Sequence, residues 1–212
     1  MKSMEAFVRK PLTLSSNKKL LQGIGTNDAD YAVTARVNGV RTMCPYYRTW
    51  HNMIHRCYNP NYKRVNITYE DCTVYKAWHL FSTFSEWMCG QDWKGKVLDK
   101  DLLIRGNKIY SPDTCLFLKQ AINSLLIEGH KARGNYLAGI TKHKKGGKYL
   151  AAISKGTSST NNYIGSYSTE IEAHNAWRLA KSRQLHNAAN NEVDTRIQKA
   201  LRVRAAELRV LM

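Results

Sequence analysis

The chain has 212 residues and 43% hydrophobic content, enough to bury one ordinary core or two small ones and too little for a large multidomain enzyme. Its 33 Lys and Arg stand against 16 Asp and Glu, a formal charge of +17 that points to a polyanionic partner, nucleic acid first, because each neutralised phosphate releases counterions. There is no run of 18 apolar residues for a membrane span, and Met1 to Leu14 lacks the order of a secretory signal, so the expected location is the cytoplasm.

The first 36 residues, with Gly23, Gly25 and Asn27, read as an irregular lead-in with a hairpin. From Pro45, Tyr47, Trp50, Ile54 and Cys57 recur at helical steps, and Asn59-Pro60-Asn61 stops that helix. A second helix is predicted over Tyr75 to Met88, where Trp78, Phe81, Phe84 and Met88 share one face; that spacing makes a buried stripe rather than a platform for stacking bases. The five cysteines, Cys44, Cys57, Cys72, Cys89 and Cys115, are odd in number and contain no CxxC pair, so they write no disulfide framework. A zinc site of Cys44, Cys57 and Cys72 with His51 or His55 is available by residue type, but its gaps match no known pattern.

Val97 to Ile104 reads as a strand, Arg105 to Lys108 as a tight turn, and Ile109-Tyr110 as the return, giving a hairpin that Cys115 to Leu118 leads into a helix ending at Leu126. A basic linker follows at 129–134. Tyr136 to Ser154 alternates on either side of Gly146-Gly147, a second hairpin, and Asn162 to Tyr167 supplies a third strand. Thr169 and Glu172 stand at capping-box spacing at the head of a helix whose Ala173, Ala176 and Ala180 form a stripe narrow enough to lie against a sheet. Between Arg133 and Asn190 there are nine Lys or Arg and two acids, Glu170 and Glu172, both where the helix dipole favours them. The tail from Glu192 is helical and basic, and reads as a solvated cap or an extra phosphate contact. The fold class is α+β: N-terminal helices and a hairpin-helix centre, followed by a three-stranded antiparallel sheet on one helix.

Glycine, aromatic and alanine positions in GITKHKKGGKYLAAIS, NYIGSYSTEIEAHNAWRLA and LHN agree in order and spacing with the APETALA-type domain of plant ethylene-response factors and their phage relatives. The resemblance covers about 55 residues and implies a sheet that reads the DNA major groove, braced by a helix behind it. Carried over, the DNA-binding positions are Thr141, His143, Lys145, Lys148, Ala152, Ser154 and Tyr163. The plant domains carry arginines at several of these positions, so the resemblance does not extend to their target sequence.

Asp99-Lys100-Asp101, the turn at Gly106-Asn107, SPDTCLFL and the helix with Asn123 resemble the core of HNH nucleases, and phage proteins joining such a core to an APETALA-type domain are read as homing-type endonucleases. The resemblance implies a Mg²⁺-dependent, site-selective DNA endonuclease of phage homing type, acting in the cytoplasm of an infected bacterial host. Asp99, Lys100 and Asn123 would be catalytic, Asp99, Asp101 and Asn123 would hold the metal, and Thr114 stands at the orienting asparagine. Lys100 occupies the place of the general-base histidine, and lysine with an ordinary pKa near 10.4 is a poor base at neutral pH. The alternative is a DNA-binding protein with a degenerate core, a regulator or an inhibitor of host defence. The implied organisation is a lead-in at 1–36, an HNH-like domain at 37–128, the APETALA-type domain at 134–190 and a basic helical tail at 191–212.

Overall fold

The computed structural model describes residues 20–37, 39–126, 136–143, 146–154 and 161–210. In chain order the elements are β1 (Thr34–Val37), β2 (Val40–Met43), α1 (Pro45–Tyr58), α2 (Pro60–Val65), β3 (Thr73–Val74), α3 (Phe81–Cys89), β4 (Lys96–Asp99), β5 (Ile109–Tyr110), β6 (Leu116–Lys119), α4 (Gln120–Leu126), β7 (Ile140–Lys142), β8 (Tyr149–Ser154), β9 (Asn161–Tyr167), α5 (Glu170–Asn190) and α6 (Thr195–Glu207). The fold class is α+β, as the residue patterns predict. The chain forms two compact units: one of Met1–Lys94 with Ile104–Phe117, the other of Gly95–Leu103 with Leu118–Met212.

In the first unit, α1 buries Trp50, Met53, Ile54 and Cys57. Asn59 both ends α1, its N–H donating to His55 O, and caps α2 by accepting from Tyr62 N–H, while Pro60 occupies a first-turn position that needs no donor. The stop expected at Asn59-Pro60 is therefore also a start. The aromatic stripe is core, with Trp78, Phe81, Phe84 and Met88 all buried and Trp50 Nε1 donating to Trp78 O at 2.7 Å. Its backbone departs from the single helix predicted over 75–88. A 3-10 turn, Lys76–His79, gives way at Leu80 to extended backbone before α3 begins. The cause is Thr26, which bridges Leu80, its N–H donating to His79 O and its carbonyl accepting from Phe81 N–H. Cys44, Cys57, Cys72 and Cys115 are buried, Cys89 is exposed, and none of the five forms a disulfide.

The hairpin expected over 97–110 does not form. β4 ends at Asp99 and pairs with β6, while β5 pairs in parallel with β3. Asp99 itself ends the strand: its Oδ1 accepts from the N–H groups of Asp101 at 3.1 Å and Leu102 at 2.7 Å, so side chain replaces ladder and the backbone turns.

In the second unit β7, β8 and β9 form an antiparallel sheet in that order. Helix α5 lies across one face of it, joining Ala173 and Trp177 to Ile140, Ala151, Tyr149, Ile164 and Tyr167. The predicted capping box is present: Thr169 Oγ1 accepts from Glu172 N–H and Glu172 Oε2 from Thr169 N–H. The tail is helical as expected. Asp194 caps α6, which buries Ile197, Leu201 and Ala205, and Ser182 Oγ of α5 donates to Ala205 O at 2.7 Å.

Candidate nucleic-acid interface

The register of the three-stranded sheet decides which residues are available to a partner. Cross-strand partners share a face. Ile140 opposes Ala151, which opposes Gly165, and this row lies under α5; Thr141 opposes Leu150, which opposes Ser166, and this row lies on the free face. At Ala151/Ala152 the register slips, so that one step along β8 is matched by two along β9 and Ile164 is the extra residue. Ile164 packs into the core, and the alternation restarts with Tyr163 opposite Ala152 on the free side and Ser154 opposite Asn161. Tyr163 is 65% exposed, the most exposed large hydrophobic side chain among the described residues of the sheet. Thr141, Ala152, Ser154 and Tyr163, all expected at the interface, thus share one face, together with Leu150 and Ser166.

Two glycines let the helix and sheet come this close. Gly139 has φ +77°, and a Cβ there would stand 2.0 Å from the Trp177 ring. At Gly165 a Cβ would stand 2.7 Å from the Tyr167 hydroxyl and 3.0 Å from its ring. Trp177 is in turn fixed by stacking on His174, ring centroids 5.5 Å apart, and His174 Nδ1 donates to Ala138 O. The scaffold behind the free face is therefore rigid at its centre.

At the hairpin end, His143 N–H donates to Lys148 O at 2.8 Å, which closes the loop and leaves both side chains exposed at the rim. Lys142 lies over the Tyr149 ring at 5.5 Å. Lys145 lies outside the described residues. Ser166 shares this face with Tyr163, three residues earlier, only because of the β9 bulge, which sequence alternation does not reveal, whereas Leu150 follows from its alternation with Ala152 and Ser154.

The second candidate site is less open. Asp99 is held inside its own turn, and burial, then the nearby Asp101 carboxylate, push its pKa above the ordinary value, against the two N–H donors and Lys100. Lys100 is buried, its ammonium 3.1 Å from Asp101 Oδ2. Arg204 of α6 donates to the Asp101 carbonyl. Asn123 is half-buried on α4, which packs against β4. Thr114 belongs to the first unit, where its hydroxyl donates to Ile109 O at 2.9 Å and meets Ser111 Oγ, closing a local turn. Among the described residues no three His, Cys, Asp or Glu side chains are grouped to hold a metal ion. Of the expected ligands, Asp99 thus has Oδ1 engaged by two backbone N–H groups and Asp101 is paired with Lys100.

No family model, curated protein or solved structure matches the chain. No helix among the described residues is long and apolar enough to cross a membrane.

Proposed function

We propose that the free face of the β7–β8–β9 sheet binds double-stranded DNA in its major groove. The observation that carries this reading is the exposed Tyr163, set among the small side chains of Thr141, Ala152, Ser154 and Ser166 on a face that α5 leaves uncovered. Three strands at about 4.8 Å spacing make a ribbon roughly 10 Å across, which suits a groove about 12 Å wide, and small side chains let its backbone approach the bases. Thr and Ser hydroxyls serve either base-pair orientation, Ala152 and Tyr163 offer apolar surface to a thymine methyl, and His143, Lys145 and Lys148 at the hairpin supply phosphate contacts.

Hydrolysis is the further step implied by the resemblance to HNH nucleases. The burial of Lys100 in an ion pair and the use of Asp99 as a turn acceptor favour the second reading, a DNA-binding protein without cleavage that acts as a regulator or an inhibitor of host defence. Two measurements test these readings. The Lys145→Ala, Lys148→Ala chain should bind duplex more weakly and with a salt slope flatter by about 1 to 2 units. An unchanged slope removes the sheet from the interface. Supercoiled plasmid incubated with the protein and Mg²⁺ or Mn²⁺ should stay supercoiled; nicking that disappears in Asp99→Ala, Asp101→Ala would establish the endonuclease instead.

A further inference from the structure

Helices α5 and α6 enclose a groove of about 310 Å³ whose polar lining is Arg183, His186, Asn187, Arg202 and Arg209. Its floor is built rather than incidental. Ser182, Ala205 and Ala206 line it, and the Ser182 hydroxyl, buried between the helices, donates to Ala205 O at 2.7 Å. No carboxylate lines it.

The arginines of this helix pair fall into two groups. Arg178 satisfies the last carbonyls of α6, donating to Leu208 O at 3.2 Å and Glu207 O at 2.9 Å; Arg196 pairs with Asp194 at 2.7 Å; Arg204 holds the Asp101 carbonyl. Those three serve the fold. Arg183, Arg202 and Arg209 do not: all are exposed, and among the described residues none is ion-paired. Arg202 meets only the neutral Asn190 Oδ1 among them, at 3.4 Å. Three like charges lining one groove repel one another unless an anion joins them.

We propose that the α5–α6 groove is a second site for the phosphodiester backbone of duplex DNA, separate from the free face of the sheet. Planar guanidiniums are the groups that take phosphate oxygens in pairs. Arg202 lies on α6 and Arg209 two residues past its end at Glu207, so the two can meet different phosphates of a backbone with one phosphate per roughly 3.4 Å of rise on each strand. α5 faces the sheet through Ala173, Trp177 and Gln184, so sheet and helix both stand between the free face and the groove. A straight duplex on the free face does not reach the groove, and one chain with both sites filled holds two duplex segments.

The test uses the full chain carrying Arg183→Gln and Arg209→Gln, with Lys94→Gln, Lys199→Gln as a control that removes the same charge outside the groove. A bead-bound duplex loaded with protein is asked to capture a second, labelled duplex. The groove variant should lose capture while the control keeps it, and both should melt as the parent does, since every substituted residue is exposed. Capture by the groove variant equal to the parent overturns the proposal. So does loss of capture on adding inorganic phosphate but not chloride of equal ionic strength, which would mark a site for small phosphates.

A second measurement makes the outcome independent of the sheet reading. In a chain already carrying Tyr163→Ala and Lys148→Gln, the residual duplex affinity belongs to the groove. Adding the two groove substitutions should flatten its salt slope by about 1.8 units, roughly 0.9 for each phosphate left without its arginine. No change in that slope overturns the groove. If Tyr163→Ala and Lys148→Gln themselves leave affinity untouched, the sheet reading fails and the groove stands on the remaining comparison.

Discussion

Asp99 is placed where its charge costs stability and its oxygen adds to it. The carboxylate accepts two backbone N–H groups that turn the chain out of β4, yet burial and Asp101 raise its pKa above the ordinary 3.8. For a carboxyl group whose folded value is raised, the associated stability is fully present below the unfolded value and is lost as pH rises through the folded one. Asp99→Asn keeps an Oδ1 acceptor without the charge. That variant should be at least as stable as the parent at neutral pH and show no loss across this acidic window, whereas Asp99→Ala, which strands both N–H donors, should lose about 1–3 kcal/mol. Urea unfolding as a function of pH checks both. A parent chain that gains stability as pH rises through that window would show that the turn hydrogen bonds outweigh burial. In sequence, Asp99-Lys100-Asp101 resembles a catalytic triplet because residue type alone does not reveal that the first carboxylate is occupied by its own backbone.

Among the elements, those specified by local chemistry were legible and those specified by distant backbone were not. The helix from Pro45, the capping box at Thr169 and Glu172 and the pairing of β7 with β8 within the expected hairpin each rest on neighbours within a few residues, and all are present among the described residues. The break at Leu80 depends on Thr26, far earlier in the chain, and the pairing of β4 with β6 instead of β5 depends on a turn made by one side chain. On the free face of the sheet, Thr141, Ala152, Ser154 and Tyr163 were expected together and Leu150 follows by alternation; Ser166 required the bulge at Ile164, and the groove arginines required the packing of α6 on α5. The capping box gives a prediction at this scale. Thr169→Ala removes the acceptor for Glu172 N–H and should cost about 1 kcal/mol, measured as a lower melting temperature of the helical signal. An unaltered melt would mean that tertiary contacts alone hold the start of α5.

At the scale of the molecule, the positive charge and the partition into two units matter most. The composition change at 129–134 suggests an independent module beginning there, but the second unit also takes in Gly95–Leu103 and Leu118 onward. Two links tie these pieces to the tail: Lys119 pairs at 3.3 Å with Glu192, whose side chain is 3% exposed, and Arg204 donates to the Asp101 carbonyl. A fragment of residues 134–212 lacks both partners. It should melt below the corresponding transition of the full chain, and Glu192→Gln should narrow the gap by removing a carboxylate left without its lysine. Equal melting by circular dichroism would show that these links add nothing. The interleaving also has a consequence for the order in which the chain can fold as it is synthesised. Residues 96–99 emerge from the ribosome before their strand partner at 116–119, and β3 waits for β5 at 109–110. The first unit has its last residues once Phe117 is made, whereas Gly95–Leu103 must wait for β6 and then for the tail, so the first should mature before the second.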